Sequence, residues 1–433
     1  MFALEVRTLM GRKRPSKITS PPNLSSPAAY QRAPTNPQKA NAVKPCSSTP
    51  VTSTIHVPTV CTRCVMDTSD PEIEFDDAGV CNHCHRFDSI SRTQWFPGPE
   101  GRPRLDALLA EIRGSGRGRE YDCILGLSGG IDSSYLALRA AEWNLRPLVV
   151  HVDAGWNSEL SVANIERIVR HCKFDLHTHV VDWEEMRDLH LAYLRSGIAN
   201  QDVPQDHIFF SSLYHFAVSN GIRHVLSGGN LATEGIFPSA WHGSAMDATN
   251  LRAIHRQHGS RPLRHYKTIS FFQYYIWYPW VRRMKTVRPL NYMAYDKAMA
   301  VKHLVDTIGF VPYPRKHGES LFTKVFQNHY LPVRFGFDKR RPHLSSLIVS
   351  GQLTRDAALQ QLAEPLYEPL ELENDLDYLC KKLRIMRQDF DGFLAAPHRH
   401  YSDYPNFGRR YRALKWCQAT SQRLLGRRLS NYS

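Results

Sequence analysis

No apolar run in this 433-residue chain approaches the ~20 residues a helix needs to cross a bilayer, so a helical membrane span is not expected. The most apolar stretch, Phe271 to Val281, is too short and ends in Arg282-Arg283; it reads as an aromatic core or subunit-contact segment. A secretory leader is lacking as well, because Met1 to Leu9 carries Glu5 and Arg7 and has no long apolar core. There is no disulfide framework. Of nine cysteines, four stand at metal-ligand spacing and five (Cys46, Cys123, Cys172, Cys380, Cys417) are scattered, a usage that suits a reducing cytoplasm. Acidic residues are nearly absent at both ends: residues 1–57 hold eight Lys/Arg against Glu5 alone, and residues 396–433 hold eight against Asp403. These ends account for the whole net charge of +14, leaving a neutral middle. A core built around a long polyanion would itself be basic, so no nucleic acid substrate is expected.

The chain also lacks a Gly-Lys-Ser/Thr phosphate loop, which excludes Walker-type kinase chemistry. In its place stands Ser128-Gly129-Gly130-Ile131-Asp132-Ser133-Ser134, between the strand-like run Cys123–Leu127 and a helical pattern from Ser133 to Trp143. Strand, glycine-hydroxyl loop and helix in that order make an anion cradle. The glycines let successive N–H groups converge, the hydroxyls add donors, and the helix N-terminus adds partial positive charge. The loop resembles the PP-loop of the ATP pyrophosphatases, which implies adenylyl transfer with AMP and pyrophosphate as products.

Cys61-x-x-Cys64 and Cys81-x-x-Cys84 have the spacing of a zinc ribbon. Four thiolates leave no open coordination position, so the expected Zn²⁺ is structural, and His83 and His85 are spare donors beside it. From Tyr121 the chain alternates strand and helix patterns, with further strands at Pro147–Asp153, Leu176–Asp182 and Arg223–Ser227 and helices at Leu160–His171 and Ile208–Asn220. The pattern predicts an α/β fold, a parallel doubly wound sheet with ligands beyond the carboxyl ends of its strands. After Met284 it turns mostly helical, with a mixed-charge amphipathic helix pattern over residues 371–395. The expected domains are a disordered basic extension (1–57), a zinc ribbon (58–95), an ATP-binding α/β domain (96–283), a helical substrate and pyrophosphate region (284–395) and a basic C-terminal arm (396–433). The arm can form a helix with Tyr411, Leu414, Leu424 and Leu425 on one face. Docking on the protein's own core is slightly favoured for it over weak contact with an anionic membrane. The expected location is the cytoplasm, with peripheral contact at the inner membrane through this arm.

From Cys61 to about Asp391 the chain resembles the N-acetyl sugar amidotransferases of bacterial surface-polysaccharide (lipopolysaccharide O-antigen) biosynthesis, a branch of the PP-loop, adenine nucleotide alpha hydrolase-like superfamily. The resemblance rests on Cys61 to Pro71, on Ser128 to Ser134, on Asn230-Leu231-Ala232-Thr233-Glu234-Gly235 with Pro238 and Trp241, and on Lys316 to Lys324 continuing through Phe335 to Leu347. One departure is Ser227-Gly228-Gly229-Asn230, where a bulkier residue is expected before the asparagine. The resemblance implies conversion of an N-acetyl group, usually on a nucleotide-linked sugar, to an acetamidino group, using ATP, Mg²⁺ and ammonia. On that chemistry Ser128, Gly129, Gly130, Ser133 and Ser134 hold the β- and γ-phosphates, and Asp132 fixes the loop or a Mg²⁺ ion. Asp153 lies near the adenosine or caps a helix, and Asn230 and Glu234 stand near the α-phosphate or acceptor sugar. Lys316, His317, Lys339, Arg340 and Arg341 are the cations expected against pyrophosphate or the substrate diphosphate, and His317 or Glu319 is the candidate general base. The chain begins Met1-Phe2-Ala3, and Cys123, Cys172, Cys380 and Cys417 lack a glycine-rich nucleophile turn, so no glutaminase is expected in it. The resemblance implies separate glutaminase- and cyclase-like subunits that supply ammonia. The competing readings are a PP-loop tRNA thiolation enzyme, which lacks a reactive cysteine near the loop here, and a non-catalytic ATP-binding scaffold.

Overall fold

Strand residues alternate between two faces, and that alternation builds the molecule. The computed structural model describes residues 58–241, 243–313 and 318–425; the extension 1–57 and the end of the C-terminal arm lie outside them. The four expected strands are present as β1 (Cys123–Gly126), β2 (Pro147–Asp153), β3 (Asp175–Val180) and β4 (His224–Leu226). A fifth, β5 (Lys285–Val287), completes a sheet of order β3-β2-β1-β4-β5 in which every pair is parallel. It has no apolar run to announce it and is held by main-chain bonds, Lys285 N to Arg223 O (2.8 Å) and Ser227 N to Val287 O (2.9 Å). The sheet therefore extends past residue 283, where the sequence reading ends the α/β domain.

Helices α1 (Asn82–Gln94) and α2 (Gly101–Ser115) precede the sheet. The crossovers are α3 (Ile131–Glu142), α4 (Glu159–Cys172), α5 (Trp183–Ser196) and α6 (Val203–Ser219), followed by one-turn α7 (Leu231–Glu234) and by α8 (Ala248–His258). Ile124 and Val150 point to one face, with Leu189 of α5, Ile208 of α6 and Ile254 of α8. Leu125 and Val149 point to the other, with Leu109 of α2, Leu136 of α3 and Ile168 of α4. The sheet is thus doubly wound, as expected. β3 is an exposed edge strand along most of its length.

Beyond the sheet come α9 (Lys297–Ile308), which packs on α3 and α4, and the short helices α10 (Leu321–Val325) and α11 (Leu331–Phe335). Then follow α12 (Arg340–Val349), α13 (Arg355–Ala363), α14 (Pro369–Leu383), α15 (Arg387–Ala395) and α16 (Gly408–Leu425). The helix expected over 371–395 is two helices: Arg384 adopts a left-handed φ of 57° and ends α14, with Ile385 N returning to Cys380 O at 3.0 Å.

The cysteine knuckles converge. The sulfurs of Cys61, Cys64, Cys81 and Cys84 are buried and lie within 4.8 Å of one another, and three of the separations are 4.0, 3.6 and 3.8 Å. A tetrahedron with Zn–S bonds of about 2.3 Å has S···S edges of about 3.8 Å, so this donor set fits Zn²⁺. Backbone N–H groups of Arg63, Cys64 and Cys81 donate to Cys61 Sγ at 3.4, 3.4 and 3.2 Å, which favours thiolate. The module is not a free-standing ribbon. Arg341 donates to Val65 O (2.7 Å) and pairs with Asp67 (2.9 Å), while Arg355 donates to Cys61 O (2.9 Å) and Cys64 O (3.1 Å). His83, a spare donor in the sequence reading, is buried against Asp70 at 2.6 Å.

Native mass spectrometry should find about one Zn²⁺ per chain. Cys64→Ser or Cys81→Ser should lower folded yield far more than the turnover of the protein that does fold. A metal-free chain with an unchanged melting temperature would contradict the four-thiolate site.

Candidate active site

The strand order reverses between β1 and β4, so a crevice opens at the carboxyl ends of these two neighbours. The loop Ser128–Ser134 lies there. Gly129 takes φ +81°, and a Cβ on it would fall 2.4 Å from Ser161 Oγ, so only glycine fits. Two carbonyls of the loop are tied back: Ser161 Oγ donates to Ser128 O (3.1 Å) and Tyr313 OH to Gly129 O (2.9 Å). A trans peptide sets its C=O and the following N–H on opposite sides, so the N–H groups of Gly129 and Gly130 turn the other way. Ser128 Oγ contacts Ser133 Oγ at 3.1 Å and accepts from Gly130 N at 3.3 Å. No side chain caps the N-terminus of α3. Asp132 accepts a hydrogen bond from Tyr295 OH, whose phenol is pushed up by burial and by that carboxylate. Ser134 faces the core, fully buried, and its hydroxyl has no hydrogen-bond partner among the described residues.

The loops after β2 and β4 form the flanks. Asp153 accepts from Gly155 N (2.8 Å) and Asn157 Nδ2 (3.1 Å), shaping the turn after β2, whereas Ser158 is the residue that caps α4. Asn157 also reaches His151 Nε2 (3.0 Å), whose other ring nitrogen meets Leu127 O (2.9 Å), locking β2 to the end of β1. A Cβ on Gly228 would lie 3.0 Å from the backbone of Asp132 and Ser133, so the β4 loop packs directly on the start of α3. Asn230 is buried and occupied: its oxygen accepts from Thr233 N (3.0 Å) to cap α7, and its amide donates to Gly228 O (3.1 Å).

A third wall comes from residues 319–339. Ser158 N donates to Glu319 O (2.9 Å), Leu321 N to Trp156 O (3.2 Å), and Asn157 bridges Ser320 antiparallel. This fastening brings Glu319 Oε1 to 3.7 Å from where a Cβ on Gly130 would stand. Ser320 leads through Gln205 (3.3 Å) and Thr323 (3.2 Å) to Asp202, which accepts from Thr323 Oγ1 at 3.0 Å and Gln205 at 3.1 Å. Desolvation pushes Asp202 up to about 6. One turn along α6, Asp206 is open to solvent and still pushed up to about 7, by desolvation and then by the charge of Asp202. Lys339 is brought down to about 8 by desolvation, opposed by Asp202, Asp206 and Glu234. The Glu234 carboxylate is 3.2 Å from where a Cβ on Gly229 would stand. An ammonium and several carboxylates, two of them raised, thus lie close together beside the Ser128–Ser134 loop.

The structure therefore brings together Ser128, Gly129, Gly130, Asp132, Ser133, Glu234, Glu319 and Lys339. Arg340 and Arg341 are turned to other work. Arg340 pairs with Asp338 (2.8 Å) and caps α13 through Gln361 O (3.0 Å) and Glu364 O (2.8 Å), while Arg341 clamps the first cysteine knuckle. The Arg340 guanidinium is fully engaged by carbonyls and a carboxylate, and Arg341 is held at the knuckle by Val65 O and Asp67. Lys316 and His317 lie outside the described residues. Asp202, Asp206, Tyr295 and Tyr313 escaped the sequence reading. Asp202 immediately precedes α6 and Asp206 lies four residues on, in its first turn; the sequence reading begins that helix only at Ile208. Cys123 is buried in β1 with its thiol pushed up by desolvation, and Cys172 is likewise raised to about 11, so neither of these thiols is activated.

Residues 319–417 match the family described as LPS biosynthesis protein WbpG-like, C-terminal domain. That segment begins at the glutamate facing Gly130. No curated protein matches the chain. Among solved structures, the NMN synthetase of Francisella tularensis is 18% identical over 30% of this chain and 56% of its own, with a TM-score of 0.25. An NAD⁺ synthetase from Burkholderia pseudomallei is 21% identical over 52% of this chain and 95% of its own, also at 0.25. The NH3-dependent NAD synthetase of Campylobacter jejuni is 14% identical over 36% and 72%, at the same score.

Arg341→Ala leaves Asp67 buried without its cation and should cost about 3 kcal/mol of stability, read as a melting temperature lower by several degrees. Asp132→Ala, which leaves the buried Tyr295 hydroxyl without its acceptor, should lower melting less than Arg341→Ala does and abolish ATP-dependent pyrophosphate release. A normal turnover in Asp132→Ala would remove the loop from the chemistry.

Proposed function

We propose that the chain is an ATP-dependent N-acetyl sugar amidotransferase of surface-polysaccharide synthesis. The observation that carries the proposal is the meeting of the Ser128–Ser134 loop with Glu319, the first residue of the WbpG-like segment, at the switch point of the sheet. An amide carbonyl is a poor electrophile and its oxygen a poor leaving group. Attack of that oxygen on the α-phosphorus of ATP forms a C–O–P bond and breaks the bond to pyrophosphate, giving an O-adenylyl imidate. The loop N–H groups and Ser128 and Ser133 hold the departing pyrophosphate, and Lys339 neutralises charge beside it. Ammonia then adds to the imidate carbon and AMP leaves with the former amide oxygen. The incoming ammonium gives up one proton before attack and another once the C–N bond exists. Asp206, a solvent-reached carboxyl poised near neutrality, is the acceptor, with Glu319 and Glu234 orienting the sugar. Mg²⁺ would supply charge neutralisation on the triphosphate, with Asp132 as its available carboxylate.

The nitrogen source follows from the same reading. Free ammonia is mostly protonated at neutral pH, so efficient turnover calls for delivery from separate glutaminase- and cyclase-like subunits. With a nucleotide-linked N-acetyl sugar and ATP, the purified chain should form AMP and pyrophosphate with concentrated ammonium at alkaline pH and fail with glutamine. Adding the glutaminase pair should restore glutamine use, and glutamine-dependent turnover by the chain alone would refute the division of labour.

The two shifted groups set the pH profile. Asp206 is a carboxylate above about 7 and Lys339 an ammonium below about 8. The rate of the nitrogen step, expressed per free ammonia, should rise through pH 7, and pyrophosphate release should fall as pH passes 8. Asp206→Asn should lose the acidic limb and about 10²-fold in the nitrogen step while keeping pyrophosphate release. An unchanged profile in this variant would remove Asp206 from proton transfer.

A further inference from the structure

The segment Gln273–Val281 forms a π-helix and presents three faces, each with a different neighbour. Tyr274 and Tyr278 turn inward onto Tyr214 of α6, ring centroids 5.7 Å away in both cases. Phe271 and Tyr275 turn toward the C-terminal arm and meet Phe407 at 5.5 and 5.7 Å, and Tyr275 also meets Tyr411 of α16 at 5.4 Å. Bonding from i to i+5 aligns residues four to five apart, so the third face carries Phe272, Trp277 and Val281 with Trp280 beside them. These are 57, 40, 53 and 45% exposed.

The sequence on both sides of this stripe carries charge of one sign. From Ala248 to Tyr295 the chain has nine Lys/Arg and no Asp or Glu, and from Tyr404 to its end seven more and again no acid. Arg282 and Arg283 follow the stripe directly and are exposed. α16 docks through Tyr411 and leaves Arg409, Arg412, Lys415 and Trp416 facing water, Trp416 being 70% exposed. Large amphipathic rings thus stand beside a set of exposed cations. An anionic lipid surface matches both components: rings partition into the headgroup–acyl boundary, and lysines and arginines meet lipid phosphates.

We propose that the π-helix stripe and the outward face of α16 together rest on an anionic phospholipid bilayer. Phe272, Trp277, Trp280 and Val281 enter the boundary, and Arg283 and the arm's arginines meet the phosphates. The arm docks on the protein's own core, the outcome slightly favoured from sequence, through Phe407 and Tyr411 against Phe271 and Tyr275, and its outward face is one half of this surface. The proposal does not depend on the sugar chemistry.

The full chain should float with vesicles of phosphatidylethanolamine and phosphatidylglycerol at low salt, release at high salt, and ignore phosphatidylcholine vesicles. The pair Trp277→Ser/Trp280→Ser should reduce the bound fraction about tenfold, and Arg283→Glu/Arg412→Glu should do the same. Both should leave pyrophosphate release and melting unchanged. If the tryptophan pair fails to fold, the arginine pair decides, together with quenching of the wild-type tryptophans by brominated lipid. Equal flotation of variants and wild type overturns the proposal. So does equal binding to phosphatidylcholine. So too does a patch whose loss abolishes RNA binding, self-association or capture of the glutaminase pair while vesicles are never bound.

Discussion

The N–H groups at the start of the Ser128–Ser134 loop face one way because two of its carbonyls are tied back on the other. Ser161 holds Ser128 O and Tyr313 holds Gly129 O. Without those two bonds the peptide planes of a glycine pair would be free to rotate, since glycine has no Cβ to bias them. The donors come from separate parts of the chain. Ser161 belongs to α4, in the second crossover, and Tyr313 to the stretch after α9. The loop's shape is thus a tertiary property, and its glycines supply the permission without the instruction.

The same dependence runs outward. The first cysteine knuckle is gripped by Arg341 and Arg355, which fixes α12 and α13 against it. α12 in turn reaches α7 through Ser346 Oγ, which accepts from Ile236 N at 2.9 Å, and Ser350 Oγ, which donates to Ala232 O at 2.8 Å. α7 follows the β4 loop that leans on Asp132, and Lys339 stands at the head of α12. The cysteine knuckle and the Ser128–Ser134 loop, far apart in sequence, are joined through one helix. The small module's buried sulfurs share a core with α10, α14 and α15, so an ion held by them would steady more than the module's own turns.

The sheet was legible where strands are apolar and long. β2 coincides with its expected bounds because seven residues, most of them buried, leave little ambiguity. β5 was not legible: Lys-Thr-Val is defined by its neighbour's hydrogen bonds and not by its own pattern. In the site, residues clustered in sequence were the easy part. Ser128 to Ser133 could be read because glycines and hydroxyls are adjacent. Arg340 and Arg341 looked like phosphate ligands because a run of cations does not show whether carbonyls already satisfy it. Asp202 and Asp206 stayed hidden for the opposite reason. Two acids on a helix look like a solvated face until folding places Lys339 and a desolvating wall around them.

Glu319 reaches Gly130 by a route worth following to its end. The segment 319–321 is fastened to the turn after β2 through main-chain atoms, Ser158 N to Glu319 O and Leu321 N to Trp156 O. Such bonds are indifferent to side-chain identity. The backbone at 319 is therefore set by bonds that any residue could make, directly opposite the Ser128–Ser134 loop, and the position is fixed independently of the side chain it presents.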